Sequence, residues 1–114
     1  MKATAKINPD EKIKTLLIEL KTELARIYGD QFKGIYLYGS YARGEQDRES
    51  DVDVLIIVEH FDRYGAEIDR TGPLVSGLSL KHGVSISRVF VSEQDWLKHD
   101  TPFLANAREE AIAA

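Results

Sequence analysis

Two aspartates, Asp51 and Asp53, stand two residues apart at the entrance of an apolar run, DVDVLIIV, that reads as a β-strand over Asp51 to Val58. Side chains alternate along a strand, so both carboxylates project from one face and repel each other unless something positive lies between them. A divalent cation meets that need. Magnesium takes oxygen ligands, uses one or two carboxylates and fills the rest of its shell with water and substrate phosphates. Upstream, with ten residues between, Gly39-Ser40 closes another β-rich run, Ile35 to Tyr38. Glycine there permits backbone angles closed to other residues and a close approach of ligand to main chain, and Ser40 adds a hydroxyl beside the amides of a helix start. A phosphate fits such a corner, and Arg43, one turn beyond Ser40, is placed to reach its charge. The chemistry these types and spacings suit is metal-assisted handling of a polyphosphate.

The elements that must hold these groups can be read around them. Asn8-Pro9-Asp10-Glu11 is a helix start, with Asn8 as cap and Pro9 at the first helical position. Ile13, Leu16, Leu17, Leu20, Leu24 and Ile27 then recur at helical spacing up to Gly29. Phe61 to His82 predicts a second helix, with an irregular start or kink at Gly65, Gly72 and Pro73 and a stop at Gly83. Val84 to Val91 predicts a third strand, and Ser92 caps a short helix through Trp96 and Leu97. Thr101-Pro102 opens a last helix that places Phe103, Leu104, Ala107, Ala111 and Ile112 near one face. The expected fold class is α/β (α+β): a small mixed, twisted β-sheet of at least three strands with flanking helices, mainly on one face. Two of the three tyrosines Tyr36, Tyr38 and Tyr41 are expected in the core.

Composition narrows the classes. A chain of 114 residues suits one domain rather than two. With 43% hydrophobic and 30% charged residues it is ordinary globular material, not a disordered tail. No apolar run is long enough to span a bilayer, and the first residues lack the apolar stretch of a secretory signal, so a cytoplasmic protein with no membrane partner is expected. The absence of cysteine excludes disulfides and thiolate chemistry. His60, His82 and His99 fit no metal spacing, which leaves oxygen ligands for any metal. A net charge of -4 offers no global basic footprint, so nucleic acid is not an expected partner.

Gly39-Ser40, ten residues, then Asp51-x-Asp53, with Ala42-Arg43-Gly44 behind the Gly-Ser and Ser50 directly before the first aspartate, resembles the minimal nucleotidyltransferases of the DNA polymerase β superfamily. The likeness spans most of the chain and is closest in kind to the MntA-like antitoxins that pair with HEPN toxins. It implies the nucleotidyltransferase fold over a single minimal domain, residues 1–114. It also implies that Gly39, Ser40, Arg43 and Ser50 bind a nucleoside triphosphate, with ATP the one expected, and that Asp51 and Asp53 are the catalytic and Mg2+-binding pair. By the same resemblance, AMP moves to a hydroxyl of an acceptor, a tyrosine of a helical HEPN-type partner protein in some antitoxins of this kind. Homo-oligomers are left open.

One departure stands out. Catalytic members usually carry a third carboxylate on the next strand, whereas Val84 to Val91 holds no Asp or Glu and Ser85 or Ser87 stands in its place, Ser87 being the position adopted. A serine hydroxyl is a poor base near neutral pH and a weaker magnesium ligand than a carboxylate. The alternative expectation is therefore a catalytically impaired nucleotide-binding module that acts by binding a partner protein.

Overall fold

The computed structural model describes residues 9–47, 50–98 and 101–114. Asn8 and His99, and the end of the charged loop Glu45 to Glu49, lie outside the described residues. Helix α1 (Pro9–Tyr28) leads through a 3-10 turn (Gly29–Gln31) into β1 (Phe32–Tyr38), followed by a one-turn helix α2 (Ser40–Arg43). Strand β2 (Val52–Val58), helix α3 (Tyr64–His82) and β3 (Ile86–Ser92) come next, then α4 (Glu93–Lys98), α5 (Pro102–Glu110) and β4 (Ile112–Ala113). The sheet order is β3-β2-β1-β4. β1 runs antiparallel to β2 and to β4, while β2 and β3 are parallel with α3 as their crossover, so the sheet is mixed.

The apolar stripe of α1 explains one layer. Leu16, Leu20 and Leu24 are fully buried against Val52, Val54, Ile56 and Val58 of β2 and Ile35 of β1. Each such leucine stabilises the fold by roughly 1.5–3 kcal/mol relative to an exposed one. The stripe turns at its end: Tyr28 is buried where Ile27 was expected, because the last turn must reach α3. There the Tyr28 hydroxyl donates to buried Glu67 Oε1 at 2.6 Å. Helix α3 begins at Tyr64 and runs through Pro73 to His82, ending on Gly83 in the left-handed conformation. Pro73 is exposed and is carried inside the helix rather than breaking it.

Two expectations are corrected. The helices are not mainly on one face: α1 and α3 cover one side, while Trp96 of α4 and Leu104 and Ala107 of α5 bury the other side against Leu55, Ile57 and Val91. The last helix does not run to the end of the chain either. It stops at Glu110, and Ile112 and Ala113 pair with Leu37 and Tyr36 as a fourth strand. Ala111 leaves the helix in an extended conformation, φ -69° and ψ 143°. Thr101 caps α5 as expected, its Oγ1 accepting from Leu104 N–H at 3.2 Å, and Ser92 Oγ accepts from Asp95 N–H at the start of α4.

Candidate functional site

Register brings three strands together in one row. Tyr38 at the end of β1 lies opposite Asp53 of β2, and Asp53 lies beside Ser87 of β3. Directly paired residues share a face, and that face is the one covered by α4 and α5, since Asp53 alternates in phase with Leu55 and Ile57. Asp51 sits just before β2, exposed, where the backbone is pinned by Val52 N–H donating to Ser85 O at 2.8 Å.

The chain leaves β1 through Gly39 with φ 77° and ψ -154°, a backbone state that L side chains rarely adopt. A second constraint acts at the same residue. A Cβ on Gly39 would run into the Asp53 carboxylate, which would have to shift, so contact adds to the conformational demand for glycine. Ser40 opens α2, and Gly44 closes it in the left-handed conformation. Arg43 projects from this turn. Its Nε donates to Glu45 Oε1 at 2.8 Å, and its Nη1 donates to both oxygens of Glu110, at 3.2 and 3.3 Å.

Burial raises the Asp53 carboxyl above the ordinary aspartate range, the nearby charge of Asp51 adds to the rise, Arg43 opposes it and Glu110 adds again. The repulsion expected between the two aspartates is therefore acting on Asp53. The Tyr38 phenol is also pushed up, first by burial and then by Asp53. Such a pair of oxygen donors, strained by its own charge, fits a hard divalent cation. Among the described residues no group of three or more Asp, Glu, His or Cys gathers closely enough to hold a metal.

The structure thus brings Gly39, Asp53 and Ser87 into one neighbourhood, with Asp51 and Arg43 close enough to act on Asp53 through charge. Ser50 is engaged otherwise: its Oγ accepts from Asp47 N–H at 2.9 Å and its hydroxyl donates to Asp47 Oδ1 at 3.3 Å, closing a turn before the aspartates. A polar cleft of about 360 Å3 lies beside that turn, lined by Tyr41, Ser50, Ser79 and Ser85 among others. A larger apolar cleft of about 790 Å3 opens on the α1 side of the sheet, between Leu17, Leu37 and Ile112, and holds neither aspartate.

Sequence reasoning missed Glu110. Its Oε1 accepts from the Gly39 N–H at 3.1 Å while the same carboxylate holds Arg43. The contact joins residues 71 apart in the chain, and the glutamate looks like one more charged residue at the end of an exposed helix. The missed signal was the strand after it: once β4 pairs with β1, the end of α5 is fixed beside the start of α2.

Comparisons with known proteins bear on the family and the fold. The family described as nucleotidyltransferase domain matches residues 17–102. A protein of Methanocaldococcus jannaschii that bears the name of a protein adenylyltransferase is 38% identical over 74 residues, covering 65% of this chain and 74% of that protein. Among solved structures, a Sulfolobus solfataricus protein described as a nucleotidyltransferase superposes with TM-score 0.60 at 15% identity, over 97% of this chain and 90% of that one. A toxin-antitoxin complex with AMP-PNP superposes with TM-score 0.54 at 21% identity, over 93% of this chain and 72% of the matched one. These two structures share the fold.

Proposed function

Because this chain belongs to the nucleotidyltransferase domain family, we propose that it moves AMP from ATP onto a protein hydroxyl with the help of Mg2+, as the antitoxin partner of a helical HEPN-type toxin. Residues 1–114 act as one minimal nucleotidyltransferase domain, working in the cytoplasm. The observation that carries the reading is the close approach of Gly39 to Asp53, whose carboxyl also feels the charge of Asp51, which supports a Gly-Ser corner working beside a cation-binding carboxylate. The name of the M. jannaschii relative supports a protein acceptor, and the fold shared with a toxin-antitoxin complex holding AMP-PNP supports both the nucleotide and the partner.

Asp51 and Asp53 would hold the ion, which when bound neutralises triphosphate charge and favours in-line attack at the α-phosphorus. The Gly39 backbone and the Ser40 hydroxyl orient the polyphosphate, and Arg43 offsets its charge. The acceptor oxygen bonds to the α-phosphorus as the bridge to the β-phosphate breaks, and pyrophosphate leaves. Ser87 holds the place beside Asp53 and is a poor base, so the acceptor proton passes to a base outside β3.

Incubation of the protein and its partner with α-labelled ATP and Mg2+ tests this, beside a variant carrying Asp51→Ala and Asp53→Ala. Label on the partner with the original protein alone supports it; equal label with both overturns it. The absence of a carboxylate from β3 favours a second reading, a nucleotide-binding module that neutralises its partner by contact. Full protection by the double variant would select that reading.

A further inference from the structure

The two donors that face a phosphate in the reading above are already engaged by an anion of the chain itself. Gly39 N–H and Arg43 Nη1 both donate to Glu110 Oε1, at 3.1 and 3.2 Å, and Nη1 reaches Oε2 at 3.3 Å as well. We propose that Glu110 is a resident anion of the nucleotide cradle: its carboxylate occupies the position of a phosphate group between Gly39 and Arg43, and the triphosphate enters by displacing it. The inference rests on the nucleotidyltransferase reading only for the identity of the incoming ligand; the exchange itself follows from the contacts.

A carboxylate and a phosphate oxygen ask for the same partners, charged or backbone N–H donors at about 2.7–3.2 Å. Both cannot take the Gly39 N–H at once. Glu110 is held on station from both sides. Leu104 and Ala107 bury α5 against the sheet; beyond the glutamate, Ile112 and Ala113 pair with β1, and Ala114 N–H donates to Ile35 O at 3.0 Å. The backbone is thereby fixed, while the side chain remains about 30% exposed and free to swing outward by rotation about its own bonds. Displacement thus asks for a rotamer change and not for release of the helix. A role as a third metal ligand is disfavoured, because Glu110 faces the two donors and no three such groups converge among the described residues.

Occupancy by a resident anion lowers the apparent affinity for a competitor by the fraction of protein in which the donors are free. It also selects for ligands of high negative charge, since a neutral or singly charged phosphate ester regains less than the carboxylate it expels. Removing Glu110 should tighten polyphosphate binding, opposite in sign to the loss expected were Glu110 a ligand-binding or scaffolding residue.

The test titrates inorganic tripolyphosphate, and separately ATP with Mg2+, into the wild type, Glu110→Gln, Glu110→Ala and Glu109→Gln. The last removes the same charge one residue away at an exposed position. The expected result is an affinity increase of about 10-fold in both Glu110 variants and little change in Glu109→Gln. The Gly39 amide resonance should move on Glu110→Gln and again when tripolyphosphate is added to the wild type. Thermal melts and backbone spectra verify that α5 stays docked. Equal or weaker binding by a folded Glu110→Gln, or a Gly39 resonance unmoved by bound tripolyphosphate, overturns the inference. If the variants bind tripolyphosphate more tightly while no labelled AMP is transferred by any of the proteins, the resident anion stands and the enzymatic reading falls.

Discussion

Gly39 and Asp53 are in such close apposition that one added methyl group on the glycine would run into the aspartate Oδ2. Strand pairing makes this so, since Tyr38, the residue before the glycine, lies directly opposite Asp53. A corner suited to phosphate and a carboxylate suited to a cation are therefore one structural unit, and a change at either residue is felt by the other.

Replacement of Gly39 by alanine should accordingly harm both stability and binding. The positive φ and the short contact together cost about 2 kcal/mol or more, lowering the melting temperature by about 8 °C. ATP titration of the folded fraction should show binding weakened by at least about 10-fold. An unshifted melt with intact binding would mean that Asp53 readily turns away.

Asp53 should behave as a residue that function maintains at the expense of stability. Its carboxyl is raised by burial first and by Asp51 second. In the folded protein the proton is thus held to higher pH than in the unfolded chain, so stability is greatest below the unfolded value and falls as pH rises through the folded one. Asp53→Asn should therefore melt about 2–4 °C higher than wild type at pH 7, a modest gain because Asp53 is only partly buried and solvent screens its charge. The difference should vanish toward pH 4 and below. Differential scanning calorimetry across that range checks the sign, and Mg2+ should raise the melting temperature of the wild type but not of the variant.

How much of this was legible beforehand depends on the distance over which each contact acts. The strand, corner and second strand from Ile35 to Val58 could be read because every signal is local: alternation, a glycine before a serine, carboxylates at a strand entrance. Helix α1 could be read for the same reason, apart from its last turn, where Tyr28 displaces Ile27 in order to meet Glu67. The end of the chain could not. Ala111 and Ile112 continue the helical spacing of α5, and only the free edge of β1 draws Ile112 and Ala113 into the sheet. Glu110 was hidden with them, since its contact is with Gly39, 71 residues earlier in the chain. Helices on both faces follow from Leu55 and Ile57 being as buried as Val54 and Ile56: β2 is apolar on both sides, and each side demands a cover.

The Tyr28–Glu67 pair should matter to folding alone. The bond between α1 and α3 is buried, with Arg70 near the same carboxylate oxygen at 3.7 Å. Tyr28→Phe should cost about 1–3 kcal/mol by leaving a buried carboxylate without its donor. Chemical denaturation measures the loss, and ATP titration of the variant should match the wild type, because the pair lies on the face of the sheet away from Asp53.

Ser87 offers a test by gain. It sits beside Asp53 in register, where a carboxylate could assist the acceptor hydroxyl. Ser87→Asp should raise the rate of AMP transfer by about 10-fold or more and lower metal-free stability at neutral pH through repulsion with Asp53. Single-turnover transfer assays read the first effect and thermal melts the second. An unchanged rate would mean that a carboxylate at this position does not reach the acceptor hydroxyl.

The most direct measurement is calorimetric titration of ATP with Mg2+ into the wild type and into the Asp51→Ala, Asp53→Ala variant. Saturable one-to-one binding that needs the divalent ion and disappears in the folded variant is the predicted result. Binding of equal strength in both proteins, or with and without the ion, would contradict a site built on those two aspartates.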